Sequence, residues 1–203
     1  MSKYKKIQIT IEKNREKFLV DRKPFKSIII IGPRSSGKSS IGKIINKNYA
    51  IEILELDDEL DKLLKNYGGL EKIINDENWN LIGRKINIVF RSFLKRKECF
   101  VAVMPIGIFE YPISSKLREI GFLIGLIPGE NDKEACEILF KRELVREHFV
   151  KLLKDRKVKL KDLEKKIKGD IKRSLLLTKE KSDYLIRGRD LSPEDIVRKY
   201  LRV

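Results

Sequence analysis

"SIIIIGPRSSGKSSIG", residues 27–42, is the stretch whose reading decides the fold. The four isoleucines after Ser27 form an unbroken β-branched run, the mark of a strand buried on both faces of a parallel sheet. "GPRSSGKS", residues 32–39, follows at once and satisfies G-x-x-x-x-G-K-[ST] at every specified position. Helical periodicity then opens in "GKSSIGKIINKN". A chance match in a Gly-Ser turn explains the loop alone, but not a strand before it and a helix after it. Each position also has a chemical reason. Gly32 and Gly37 let the backbone turn tightly enough for its N–H groups to point at phosphate oxygens, with Ser35, Ser36 and Ser40 completing the cradle. Lys38 supplies a compact positive charge to β- and γ-phosphates, Ser39 offers a hydroxyl to Mg²⁺, and the helix dipole adds attraction for an anion. ATP and Mg²⁺ are therefore the expected ligands.

Outward from the loop, apolar stretches alternate with helical patterns. "AIEILEL" leads into the charged helix "DDELDKLLKN", and "NWNLIGRKINIVFRSFLKRK" has Leu81, Ile82, Ile86, Val89, Phe90 and Phe93 along one side. "CFVAVM" and "GFLIGLI" read as further buried strands and "DYLIRG" as a fifth. "SPEDIVRKYL" closes the chain as a helix capped by Ser192, with Pro193 in first position. This alternation predicts an α/β fold of three layers, a five-stranded parallel sheet flanked by helices. Residues 26–203 are expected to form one domain, with a helical, basic lid region over about 132–173 broken only near Gly169. Residues 1–25 read as a basic N-terminal extension in which "KIQITI" alternates like a strand and "EKNREKFLVDRK" resembles a polar helix or linker. Trp79 is expected to pack at a helix start, His148 to be exposed in the lid and Tyr184 to fill core beside the fifth strand.

Bulk properties narrow the classes. The 203 residues suffice for one full α/β core, and no apolar run approaches the ~20 residues of a membrane span. The start lacks the apolar segment of a secretory leader. Two cysteines and one histidine exclude a disulfide framework, a cysteine metal site and any two-histidine mechanism. These features point to a reducing, cytoplasmic setting and no membrane partner, and a monomer is the favoured state. The formal charge of +16 favours anionic partners, although lysines on solvated helix faces account for much of it. "KLLKDRKVKLKDLEKKIKGDIKR" lacks the interleaved aromatics that single-strand binding uses, so a nucleic-acid partner is the less favoured alternative.

"ELDDELD", residues 55–61, places carboxylates just after the second strand, where strand ends gather at a ligand crevice. They either hold Mg²⁺ and orient an acceptor hydroxyl, or simply favour a helix N-terminus.

With these pieces in order, the sequence resembles the shikimate kinase family over roughly residues 26–201. "GKSSIGKIINK" is similar to the family's G-K-S-T-x-G-x-x-L-A, "ELDDELD" to its D-x-D, and "SDYLIRGRDLSPEDIVRKYL" to its closing A-D-x-x-I…S-P-E-x-V-x-x-I. The resemblance implies ATP-dependent phosphorylation of a ring hydroxyl on a small carboxylate-bearing acceptor, shikimate first. It implies that Asp57 grips that hydroxyl, that Arg84 and Arg173 clamp the carboxylate beside Gly107, and that Ser39 holds Mg²⁺ with Glu55 nearby. Lid arginines would charge-stabilise the transferring phosphoryl group. Arg142 and Arg146 are the candidates, Arg142 toward nucleotide and Arg146 in catalysis, against the alternative of solvated helix arginines.

The chain departs from the family on the acceptor side. Pro105, Ile106 and Gly107 stand where the family has three glycines, and proline and isoleucine there predict a different substrate floor. Asn87 replaces a glutamate that supports the substrate arginine, and Leu177 stands in for a tyrosine. A kinase for another hydroxyl, nucleoside or nucleic-acid hydroxyls included, and a non-catalytic ATP-binding protein are the alternatives.

Overall fold

A computed structural model describes residues 10–13, 16–19, 27–146, 160–188 and 192–200. Five parallel strands make the central sheet: β3 (Ser27–Gly32), β4 (Glu52–Glu55), β5 (Phe100–Pro105), β6 (Phe122–Pro128) and β7 (Tyr184–Gly188), in the order β4-β5-β3-β6-β7. The isoleucine run is thus the central strand. Ile28 lies opposite Val101 on one side and Phe122 on the other, so every backbone group of the run has a neighbour.

The alternation of side chains along β3 divides the interior into two cores. Ile29 and Ile31 face a core built with α2 (Leu56–Leu64), α3 (Leu70–Asn75), α4 (Trp79–Lys95) and α5 (Leu117–Ile120), where Leu60, Leu64, Ile86 and Phe90 are buried. Ile28 and Ile30 face the opposite core, built with α1 (Lys38–Tyr49) and α8 (Pro193–Tyr200) through Ile41, Ile45, Ile196 and Val197. A smaller cluster joins α6 (Asp132–Leu144) to α7 (Leu160–Lys181) through Ala135, Leu139, Ile171 and Leu175. The expected three-layer fold with a five-stranded parallel sheet is therefore present.

Local chemistry fixes the elements. Asn78 accepts from the Leu81 amide and starts α4, and Asn131 accepts from the Glu134 amide and starts α6. Ser192 Oγ accepts from the Asp195 amide at 3.1 Å, the cap expected for α8. Asp183 ties the entry of β7 to β6, accepting from the Leu123 amide at 3.0 Å while its own amide donates to the Leu123 carbonyl. Gly42 lets α1 lie against the sheet, since a Cβ there would come within 3.1 Å of Val103.

Several expectations need correction. Residues 16–19 are not helix or linker: β1 (Thr10–Lys13) and β2 (Glu16–Leu19) pair as an antiparallel hairpin, with Ile11 opposite Phe18. Each strand satisfies the other's backbone groups, a gain that charge-rich single-strand patterning hides. α7 runs unbroken through Gly169, because that position is exposed and a 22-residue helix absorbs one glycine's cost of roughly 1 kcal/mol. Trp79 is 52% exposed rather than packed. Tyr184, at the start of β7, packs against the core that contains α1, as expected. His148 and the rest of 147–159 lie outside the described residues. Among the described residues, no helix is long and apolar enough to cross a membrane.

Candidate functional site

All five sheet strands end on one side, so the segments that follow them meet at the carboxyl edge of the sheet. The glycine loop after β3 sits at the centre. A Cβ on Gly32 would stand 2.5 Å from the Leu126 carbonyl oxygen, so only glycine lets the loop leave β3 this close to β6. Gly37 and Ser35 both have positive φ, 93° and 62°. Ser35 therefore holds a left-handed conformation that costs a non-glycine residue energy, and something must hold it there.

Ser35, Ser36, Gly37, Lys38, Ser39 and Ser40 line a hollow of about 570 Å³, closed on the far side by Pro128, Arg142, Val145, Arg146, Gly188 and Pro193. Its wall is part loop backbone and hydroxyl, part apolar and cationic side chain. Ser36 Oγ is buried within the loop with no hydrogen-bond partner. An orphaned hydroxyl is costly unless a ligand completes it, and an anion with acceptor oxygens does so.

Lys38 folds back over its own loop, Nζ donating to the carbonyls of Gly32 at 3.1 Å and Pro33 at 2.7 Å. Loss of water around the ammonium lowers its pKa to about 8; Asp57 and Glu55 pull it up, while Arg146 and Arg34 push it down. Four charged groups thus act on one ammonium. The Asp57 carboxyl is displaced upward, first by desolvation, with Lys38 opposing and Glu55 reinforcing. Asp57 is exposed by residue area, but the water left around its carboxyl, rather than around the residue as a whole, sets this direction. Ser39 Oγ donates to Glu55 Oε2 at 2.8 Å, bridging α1 to the end of β4. A hydroxyl beside a carboxylate is the hard-oxygen set that Mg²⁺ accepts, the remaining positions going to water and phosphate oxygens. The donor set fits that ion.

The acceptor-side residues are less gathered. Asp57 opens α2 and Gly107 lies in the 3₁₀ turn Ile106–Glu110 after β5, with open space where a Cβ would stand. Ile106 is 7% exposed and joins the hydrophobic core, so its bulk turns inward. Arg173, on α7, makes an ion pair of 2.9 Å with Glu110 of the same turn, both side chains more than half exposed. Arg84 stands apart. It is exposed on α4 and lines a separate surface hollow with Tyr67, Asn78, Leu81, Lys85 and Ile88, while its neighbour Gly83 faces the Tyr111 ring.

Glu143 and Glu110 are the charged residues that sequence reading missed. Glu143 accepts a hydrogen bond from Ser35 Oγ and lies 3.2 Å from Arg146 and 3.9 Å from Arg34. Its spacing three before Arg146 was visible as a helical pair, but the loop that it reaches is 108 residues away in sequence.

Sheet order, glycine loop and the crevice beside it define a P-loop kinase fold. No protein-family profile matches the chain. Over 92 residues, 45% of this chain, it is 34% identical to the pentafunctional AROM polypeptide of Schizosaccharomyces japonicus, of which that match spans 6%. The chain thus corresponds to a small part of the length of its curated relatives. Among solved structures, shikimate kinase from Acinetobacter baumannii in complex with shikimate superposes with a TM-score of 0.62 at 19% identity, covering 86% of this chain and 90% of that one. Dephospho-CoA kinase from Campylobacter jejuni superposes with a TM-score of 0.51 at 14% identity, covering 85% and 94%. The resemblance to the shikimate kinase family drawn from the sequence motifs is borne out by the fold shared with a shikimate kinase and by the AROM match.

Proposed function

We propose that this chain is a MgATP-dependent kinase that phosphorylates a hydroxyl of a small carboxylate-bearing acceptor, with shikimate the first candidate. The observation that carries the reading is the convergence on one loop of a desolvated Lys38, the Ser39–Glu55 pair and Asp57 from the adjoining strand end. In this reading the loop amides from Gly32 to Ser40 and the Ser36 hydroxyl hold the β- and γ-phosphates, and Lys38 neutralises charge between them. When bound, Mg²⁺ would screen the phosphate charge, with Ser39 as direct ligand and Glu55 beside it. Arg142 borders the nucleotide and Arg146 stabilises charge on the transferring group. Asp57 orients the acceptor hydroxyl; its raised pKa suits it to take a proton as the bond to phosphorus forms. Arg173 and Gly107 border the acceptor, and Arg84 reaches the carboxylate only if α4 and its neighbours close. Positioning and electrostatics do the work, with little covalent chemistry from the protein.

The Glu110–Arg173 pair favours a second reading, a kinase of this type for a different hydroxyl acceptor, since a carboxylate already occupies that guanidinium.

ADP release from MgATP, with and without shikimate, tests the proposal. Shikimate-dependent ADP formation that falls by about 100-fold or more in Lys38→Ala is the expected result. ATP binding with no response to shikimate removes shikimate as acceptor and favours the second reading. Loss of neither binding nor turnover in Lys38→Ala removes the assignment of the loop.

A further inference from the structure

The last turn of α6 is fastened to the tip of the phosphate loop by Glu143 and Arg142, and Arg146, just beyond the helix, pairs with Glu143. Glu143 accepts from Ser35 Oγ. Arg142 Nη1 donates to the Ser35 carbonyl at 3.0 Å, and Arg146 Nη1 lies 3.2 Å from Glu143 Oε1. Arg34, one residue before Ser35 in the loop, completes the cluster at 3.9 Å from Glu143 Oε2. The Glu143 side chain is only 17% exposed, whereas those of Arg34 and Arg146 are 63% and 42% exposed. One shielded carboxylate therefore holds two guanidinium groups, Arg146 bordering the hollow and Arg34 close enough to bear on the charge of Lys38, and fixes a serine in a left-handed conformation.

We propose that Glu143 is a carboxylate placeholder: in the free protein it engages Arg34 and Arg146 in the role that a nucleotide phosphate takes over, and it thereby sets the affinity for nucleotide. The inference rests on the nucleotide reading of the loop. The chemistry is an exchange of anions. A guanidinium binds carboxylate and phosphate with the same forked donors. A phosphate entering the hollow competes with Glu143 for both arginines, and the cost of releasing them is subtracted from its binding. Fastening also orders the loop tip before the ligand arrives, so Glu143 is a positioning residue that trades affinity for order. Glu143 need not touch the ligand at all.

Glu143→Gln tests this cleanly, because glutamine keeps an acceptor oxygen for Ser35 Oγ and removes only the charge. Titration calorimetry of the full chain with the magnesium complex of a non-hydrolysable ATP analogue should give binding about three- to tenfold tighter than wild type at low salt, the range of a partly exposed ion pair. The gain should shrink at high ionic strength. It should also vanish when Arg34→Gln and Arg146→Gln are introduced together, an outcome that a merely structural role of Glu143 would not produce. Unchanged or weaker binding in Glu143→Gln, or a gain that persists without the two arginines, overturns the placeholder role while leaving the nucleotide site intact. If wild type does not bind the magnesium complex of the analogue, and Lys38→Ala behaves identically, the nucleotide reading falls and the placeholder falls with it.

Discussion

Lys38 shows how much a single residue's surroundings matter. Its ammonium is held by two loop carbonyls, and loss of water lowers its pKa to about 8 from the usual lysine value of 10.5. The sign follows directly. Between pH 8 and 10.5 the folded protein binds fewer protons at this group than the unfolded chain, so its contribution to stability is unfavourable below pH 8 and improves as pH rises across that window. Phosphate at the loop restores the charged form. Binding of MgADP at about pH 8.5 should therefore take up a proton, while binding at about pH 6.5 should take up none at this residue. Calorimetry in buffers of different ionisation enthalpy measures the uptake. A value independent of pH across this range, or its persistence in Lys38→Ala, removes Lys38 as the group responsible.

At the scale of elements, α7 offers a direct test of how the fold tolerates local weakness. Gly169 lies in the middle of a 22-residue helix, exposed, with nothing within 4 Å of where a Cβ would stand. Gly169→Ala should raise stability by roughly 0.5–1 kcal/mol, read as a higher urea midpoint with an unchanged slope. A decrease would mean that the helix needs a bend there. The same element explains a limit of sequence reading. A lone glycine in a charged helix looks like a break, and only the packing of Ile171 and Leu175 against α6 shows why the helix carries on. The alternation of "KIQITI" already reached Thr10 and Ile11 of β1, its residues 6–9 lying outside the described ones, but β2 escaped notice for the complementary reason: its pairing partner, not its periodicity, makes it a strand.

For the whole molecule, the parallel sheet and its order of layers were legible because buried strands write themselves as apolar runs, and the glycine loop has a local code. Side chains brought together across the fold were not legible. Ser39 and Glu55 could be proposed as neighbours through a family pattern, but the meeting of Glu143 with Ser35, or Glu110 with Arg173, depends on helices whose relative placement no local pattern encodes. Stability at this scale rests on the larger core. Phe90 is fully buried, its ring centroid 6.3 Å from that of Phe93, which in turn lies 5.5 Å from Phe100. Phe90→Ala leaves a cavity where α4 meets the sheet and should cost about 3–5 kcal/mol in equilibrium unfolding. A loss under 1 kcal/mol would show that the aromatic cluster repacks and that α4 is held chiefly by its aliphatic contacts.

The four isoleucines of β3 have one more consequence. In most strands a slip by one residue swaps apolar for polar faces and is rejected at once. Here it exchanges isoleucine for isoleucine, so the side chains that build the sheet's centre are blind to their own register. The ends must supply it. Ser27 lies where a Cβ on Gly121 would come 2.2 Å from its carbonyl oxygen, and Gly32 where only a hydrogen fits beneath the Leu126 carbonyl. These two close approaches act as the detents of the strand, and the alignment of the phosphate loop with the rest of the crevice is inherited from them.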